Sequence, residues 1–160
     1  MVLFDATVAA TVMWCTESWA LKQSDKDSLH AARNQMLRKM VGRGRHPDEK
    51  WVDWMISSTR TARATAKLAG VRSWIGWHGE RKGWWADHVA RSSLDEWLRS
   101  VTFWRDRHWQ LGNNIVSYRR PRPGRWTRWE DGVRQISEEW DVLAGERESW
   151  RKLVSDSFVE

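Results

Sequence analysis

The sequence predicts an all-α fold, an irregular helical bundle of about five to seven helices with one extended basic arm. Three observations predict it. Apolar residues recur at spacings of three and four along most of the chain, and no segment alternates convincingly with period two. Cap signatures stand ahead of those stripes, with Ser24 three residues before Asp27, Ser93 before Glu96 and Thr127 before Glu130. Glycines at 42, 70 and 145 stand where the stripes stop.

The elements come in this order. Ser24 with Asp27 opens a helix to about Val41, whose apolar face is Leu29, Ala32, Met36, Leu37 and Met40. Pro47 suits a first helical position, and Asp48 and Glu49 suit the positive helix end. The face of that second helix is Trp51, Met55, Ser58, Ala62, Ala66 and Ala69. A third carries Trp74, Trp77, Trp84, Trp85, His88 and Val89 as its stripe, although Gly76, Gly79 and Gly83 each cost it about 1 kcal/mol against alanine. A fourth, capped by Ser93 and Glu96, has Leu94, Trp97, Leu98, Val101 and Trp104 on one side. After Gly112 the segment 113–128 reads as an arm, kept extended by Pro121 and Pro123. Thr127 with Glu130 then opens a helix through Trp129, Val133, Ile136 and Trp140 to Gly145. A last short helix turns Trp150, Leu153, Val154 and Ser157/Phe158 inward. The division is thus a helical part over 1–112, the arm over 113–128, and acidic C-terminal helices over 129–160 that pack back on the bundle.

At 160 residues, one domain of this kind buries roughly 68–70% of its unfolded surface and needs no disulfide or metal. The single cysteine, Cys15, allows no internal disulfide and is expected to pack in a buried segment. It fits a reducing compartment, nuclear or cytoplasmic. No stretch approaches the ~20 apolar residues of a membrane span, so no membrane partner is expected. The apolar N-terminus, interrupted by Asp5, does not read as a signal peptide. Of the 15 tryptophans, Trp51, Trp97, Trp129, Trp140 and Trp150 fall on apolar stripes and read as core.

Charge is distributed unevenly. The net charge is +6, and the window from Arg107 to Trp129 carries six arginines with no acid. Residues 1–128 hold 23 basic and 12 acidic side chains (+11), and residues 129–160 hold 4 and 9 (−5). That asymmetry favours a polyanion, most often nucleic acid. In the arm, Arg119, Arg120, Arg122, Arg125 and Arg128 are candidate phosphate ligands, because the planar guanidinium pairs bidentately with phosphate oxygens. Trp126, among arginines and off any apolar stripe, is a candidate for stacking on a base or for packing on the next helix. A second acid-free stretch, residues 28–47, adds Arg33, Arg38, Lys39, Arg43 and Arg45.

Catalytic signals are weak. Pro47-Asp48 with Glu80-Arg81-Lys82 formally matches a metal-dependent nuclease pattern, but that chemistry places its acids on adjacent strands and these fall in helical patterns. The five histidines are scattered, and His88 on an apolar face reads as packed. No phosphate-binding glycine loop, nucleophile elbow or zinc spacing occurs, so no catalytic residue, metal or cofactor is expected.

Four segments together carry a family resemblance. Val12–Leu21, Met36–Gly42, Arg81–Arg91 and Gly124–Asp131 resemble, in the same order, segments of the reverse transcriptases of non-long-terminal-repeat retrotransposons that lie downstream of the catalytic palm. The resemblance covers about Leu3 to Trp150. It departs at Trp14-Cys15, where the family has tyrosine-glycine; at Asp87, where it has glycine; and after Gly124-Arg125, where its proline is missing. The palm's paired aspartates are absent from this chain. The resemblance therefore implies the thumb and the region C-terminal to it, a helical part that grips the template–primer backbone and performs no chemistry. The upstream palm is an expected partner, and an RNA–DNA hybrid or duplex the expected ligand. Two other readings stand beside it. One is a helical protein-interaction module whose arm docks on an acidic partner or on the chain's own acidic tail. The other is a residual Mg²⁺-dependent nuclease using Asp48 and Glu80.

Overall fold

Most of the described elements pack against the helix over Trp74–Arg91. The computed structural model describes residues 3–93, 97–102 and 128–158, and these are helical with no strand among them. In chain order, α1 is a π-helical segment, Phe4–Ala9, continued by Ala10–Val12. A 3-10 turn, Thr16–Ser18, precedes α2 (Gln23–Val41). Then come α3 (Trp51–Leu68), α4 (Trp74–Arg91) and α5 (Trp97–Thr102). The C-terminal part comprises α6 (Trp129–Arg134), α7 (Trp140–Leu143) and α8 (Arg147–Ser157).

Two apolar clusters sit along α4. At its N-terminal end, Trp74 joins Phe4, Ala9, Met13, Leu37, Ala62 and Ala66, and its ring stacks on Phe4 at 6.0 Å. At its C-terminal end, Ala86, Val89 and Ala90 join Val133, Trp140, Ala144, Trp150 and Val154. Each buried ring removes roughly 150–250 Å² from water, so Trp74, Trp140 and Trp150 dominate their clusters.

The α4 glycines explain how the second cluster closes. Gly76, Gly79 and Gly83 are spaced three and four apart, and Ala86 and Ala90 continue the strip, so one face of α4 carries almost no side chain. α8 lies against it. A methyl built on Gly79 would meet the Phe158 ring at 2.3 Å, and one on Gly83 would meet both Val154 methyls at 2.7 Å. The Trp150 indole N–H donates to the Gly83 carbonyl at 2.7 Å within this contact. The lost helix propensity is offset by an approach that no larger residue allows.

Several local expectations change. The cap of α2 is two residues earlier than Ser24: the Lys22 backbone N–H donates to the Asp25 carboxylate at 2.9 Å. Pro47–Glu49 form a turn ahead of α3, and Glu49 reaches back to Arg43 at 2.9 Å. At α6 the Arg128 N–H donates to Asp131 at 2.7 Å, so Asp131 takes the role expected of Glu130, and Thr127 lies outside the described residues. The helix expected from Thr127 to Gly145 is broken after Arg134 and resumes at Trp140. Gly42 and Gly70 stop α2 and α3 in the left-handed conformation, with φ of +69° and +67°.

Tryptophan burial is also redistributed. Trp140 and Trp150 are core and Trp129 is partly buried, but Trp51 and Trp97 are 57% and 76% exposed. Met36, Met40 and Leu153 are exposed on the surface, and Asn34 and Val41 take part in the packed side of α2 instead. Cys15 is exposed, with a left-handed φ of +56°. Among the described residues no helix is long and apolar enough to cross a membrane.

Candidate nucleic-acid interface

α2 and α3 pack along their length, and this brings two basic stretches together. Arg38 of α2 donates to the Thr59 hydroxyl of α3 at 3.0 Å, and Arg63 of α3 donates to the Asn34 side chain at 3.1 Å. Arg43, just past α2, pairs with Glu49 at 2.9 Å and reaches the Ser57 hydroxyl. Lys39 and Arg45 are exposed. The basic residues of 28–47 are therefore a mixed set. Arg38 and Arg43 also tie α2 to α3, while Lys39 and Arg45 are free for solvent or ligand.

The sequence reading missed the other half of this surface. Residues 54–79 contain no Asp or Glu and hold Arg60, Arg63, Lys67 and Arg72. Arg60, Arg63 and Lys67, at spacings of three and four, share one exposed side of α3. The signal was the same acid-free run that flagged 28–47. Between α2, α3 and the start of α4 lies a groove of about 920 Å³, lined by His30, Arg33, Arg63, Lys67, Arg72 and Trp77 among others. Arg33 donates to the carbonyls of Val71 and Arg72 at 3.2 and 3.0 Å, which fixes the turn forming the groove's end. Arg72 lies over the Trp77 ring at 5.7 Å and pairs with Glu80 at 3.4 Å.

Of the arm's candidates, Arg119, Arg120, Arg122, Arg125 and Trp126 lie outside the described residues. Arg128 is at the start of α6, its guanidinium 3.5 Å from Glu130 and still half exposed. Its neighbour Trp129 is firmly held. The Trp129 indole N–H donates to the Glu17 carbonyl, its ring meets Trp140 edge-on at 5.9 Å, and Lys82 sits over it at 5.6 Å.

The middle of α4 inverts the expected polarity. His78, Lys82 and Asp87 are buried, whereas Trp84, Trp85 and His88 are exposed. Lys82 donates to the Trp19 carbonyl at 2.6 Å, and burial, followed by the Lys26 charge, pushes its pKa down to about 8 against an opposing pull from Asp131. Burial, followed by the charges of Lys82 and Lys26, pushes His78 down to about 4. Asp87, 1% exposed, takes two hydrogen bonds from Arg91 at 2.7 and 3.0 Å, and Arg147 and Arg151 of α8 stand 3.8 and 3.7 Å away.

The elements of the nuclease pattern have different surroundings. Glu80 lines the groove beside Arg72, Lys82 is buried against Trp19 and Trp129, and Asp48 is in the exposed turn beside His46. Positions two apart on a helix do not face each other, so Glu80 and Lys82 point to different sides of α4. Among the described residues no three His, Cys, Asp or Glu side chains gather as a metal site.

No known protein family matches this chain, and no solved structure does. Over 95% of its length it is similar, at 23% identity, to an uncharacterized transposon-derived protein of Caenorhabditis elegans. The chain spans about half, 52%, of that protein's length.

Proposed function

We propose that this chain is a nucleic-acid-binding part of a transposon-encoded protein, equivalent to the thumb region of a reverse transcriptase and without catalysis of its own. The observation that carries this reading is the pairing of α2 and α3, which sets two acid-free stretches, residues 28–47 and 54–79, side by side. The arm, with five arginines between 119 and 128, adds a third basic element adjoining the anchored Trp129. Such cations bind phosphate and position a duplex without reading its sequence. The similarity to a transposon-derived protein supports the origin, and the four ordered segments support the thumb assignment. The upstream palm is the partner this reading expects.

The test is a fluorescence-anisotropy titration of the purified chain with a duplex, an RNA–DNA hybrid and a single strand. Binding with little sequence preference and no Mg²⁺-dependent cleavage supports the proposal. Absence of binding at low salt overturns it. The interaction-module reading draws on Trp51, Val52 and Ile56, all more than half exposed on the first turns of α3. It expects weak nucleic-acid binding that strengthens when residues 129–160 are removed.

A further inference from the structure

The exposed face of α4 is an ordered one. Arg81, Trp84, Trp85, His88 and Arg91 succeed one another at helical spacings and fall within about 120° of the helix circumference, opposite the glycine strip that receives α8. Trp84 and Trp85 are 42% and 37% exposed, and the Trp85 and His88 rings meet at 5.1 Å with a 45° tilt. Trp84 and Trp85 belong to neither apolar cluster, and with His88 they put three rings on one side of one helix rather than singly on the surface.

Both ends of this face carry an arginine held in place by a carboxylate. Arg81 is fixed by Glu17 at 3.0 Å. Where this face borders the α8 contact, about 40° of helix rotation beyond Arg91, Asp87 gathers Arg91, Arg147 and Arg151, so among the described residues three guanidiniums share one carboxylate and carry an excess of two positive charges. Arg147 and Arg151 are about half exposed and approach Asp87 only at 3.8 and 3.7 Å, which leaves N–H donors for another anion. Trp77, on the same side of α4, connects the face to the basic groove of Arg63, Lys67 and Arg72. From Trp77 to Arg91 the track is roughly 21 Å long, at 1.5 Å per residue.

We propose that this face of α4 is a stacking platform for unpaired nucleotides, with bases on Trp84, Trp85 and His88 and phosphates on Arg91, Arg147 and Arg151. Rings that offer π-faces beside cations are what single-stranded nucleic acid needs, and such contacts tolerate any base. An acidic peptide would satisfy the arginines but leave the rings unexplained. The inference rests on the nucleic-acid reading above and adds to it a strand type and a site on α4 that adjoins the α2–α3 groove through Trp77.

The test uses a fluorescein-labelled 12-nucleotide oligo(dT) and a duplex of equal length, titrated by anisotropy at several salt concentrations. The Trp84→Ala/Trp85→Ala variant should weaken oligo(dT) binding by at least about 25-fold, since each of the two stacked bases is worth about 5–150-fold, with an unchanged salt slope and unchanged duplex binding. Trp84→Phe/Trp85→Phe should restore most of the loss, because phenylalanine keeps a face to stack on. Arg147→Gln/Arg151→Gln should lower the oligo(dT) slope by up to about 1.4, from roughly 0.7 per phosphate on a single strand. Both rings are at the surface, and an unchanged circular dichroism spectrum verifies the fold. If the double alanine variant binds oligo(dT) like the parent while duplex binding persists, this inference is wrong and the nucleic-acid reading stands. If neither nucleic acid binds the parent, both fail. A polyglutamate peptide that binds in place of oligo(dT) and is lost with the same variants would assign the face to an acidic protein partner and overturn the proposal.

Discussion

Val154 of α8 is seated on Gly83 of α4, so close that a methyl on the glycine would stand 2.7 Å from both of its own. Val154 is fully buried, and its branched side chain has one favoured rotamer in a helix, so it cannot turn aside. This contact, with the Trp150–Gly83 hydrogen bond beside it, holds the C-terminal helices to α4.

Gly83→Ala should therefore destabilise the fold, although it improves helix propensity by about 1 kcal/mol. Overpacking of a filled core costs about 1–3 kcal/mol, which outweighs that gain. Adding Val154→Ala makes room for the new methyl, so the double variant should be more stable than the two single effects summed. Urea midpoints of the four proteins of this cycle measure the coupling. Strict additivity would show that the contact is not tight.

Asp87→Asn should destabilise by about 1.5–3 kcal/mol, the range for hydrogen bonds to a charged group. The buried carboxylate organises Arg91 of α4 with Arg147 and Arg151 of α8, so its loss loosens the α4–α8 contact. The cost falls short of that of a fully buried pair because the three arginines are 39–56% exposed and regain water. Thermal unfolding measures it, and a change under about half a kcal/mol, the scale of an ordinary surface substitution, would remove Asp87 from this role.

His78 and Lys82 give stability two pH-dependent windows. Both are bases whose folded pKa is depressed, so the unfolded chain binds the extra proton more readily and stability falls as pH falls through each window. For His78 the window runs from its ordinary 6.5 down to about 4, and for Lys82 from 10.5 down to about 8. Below each window the group is charged in both states and its contribution is lost. Proton NMR should show one of the five histidines titrating near pH 4, and Lys82→Met should remove the slope of stability between pH 8 and 10.5. A His78 resonance that titrates near 6.5 would contradict the buried geometry.

The helical class and most helix extents are legible in the sequence from the three-and-four spacing and from the glycine stops at 42 and 70, whereas the caps used at α2 and α6 are Lys22 with Asp25 and Arg128 with Asp131 rather than the expected pairs. Ser58, Ala62 and Ala66 are buried as their spacing implies, and so are Trp140, Trp150 and Val154. The orientation of α4 differs from its expected one, for a physical reason. Taking Trp84, Trp85 and His88 as the inward stripe assumes that the largest apolar side chains mark the core. Here the core-facing strip is Gly76, Gly79, Gly83, Ala86 and Ala90, and contact is achieved by backbone proximity. The three-and-four spacing of those small residues is visible in the sequence. The burial of Lys82 and Asp87 is not, since it depends on Trp19, Trp129 and Arg147 arriving from far along the chain. The arm's residues 119–126 lie outside the described residues, and the basic stripe on α3 is legible by the same acid-free rule that marks 28–47.

The basic elements make a quantitative prediction in salt. If about four of Arg119, Arg120, Arg122, Arg125 and Arg128 reach duplex phosphates, log K should fall against log salt with a slope of roughly −3.6, from about 0.9 per phosphate. Changing all five to alanine should remove most of that slope and weaken every sequence alike. Arg45→Ala and Lys39→Ala should each remove nearly one further unit if α2 faces the same duplex, with no loss of stability, because both side chains are exposed. Arg38→Ala and Arg43→Ala should differ by also lowering the melting temperature, since these two hold Thr59 and Glu49 of the neighbouring segment. Trp126→Ala should weaken single strands by about 1–3 kcal/mol and leave the slope unchanged if its ring stacks. Anisotropy at four or more salt concentrations, with melting curves of each variant, separates these effects. A five-arginine variant that binds duplex as tightly as the parent, with the same slope, would exclude the arm from the interface and leave α2 and α3 to account for all binding.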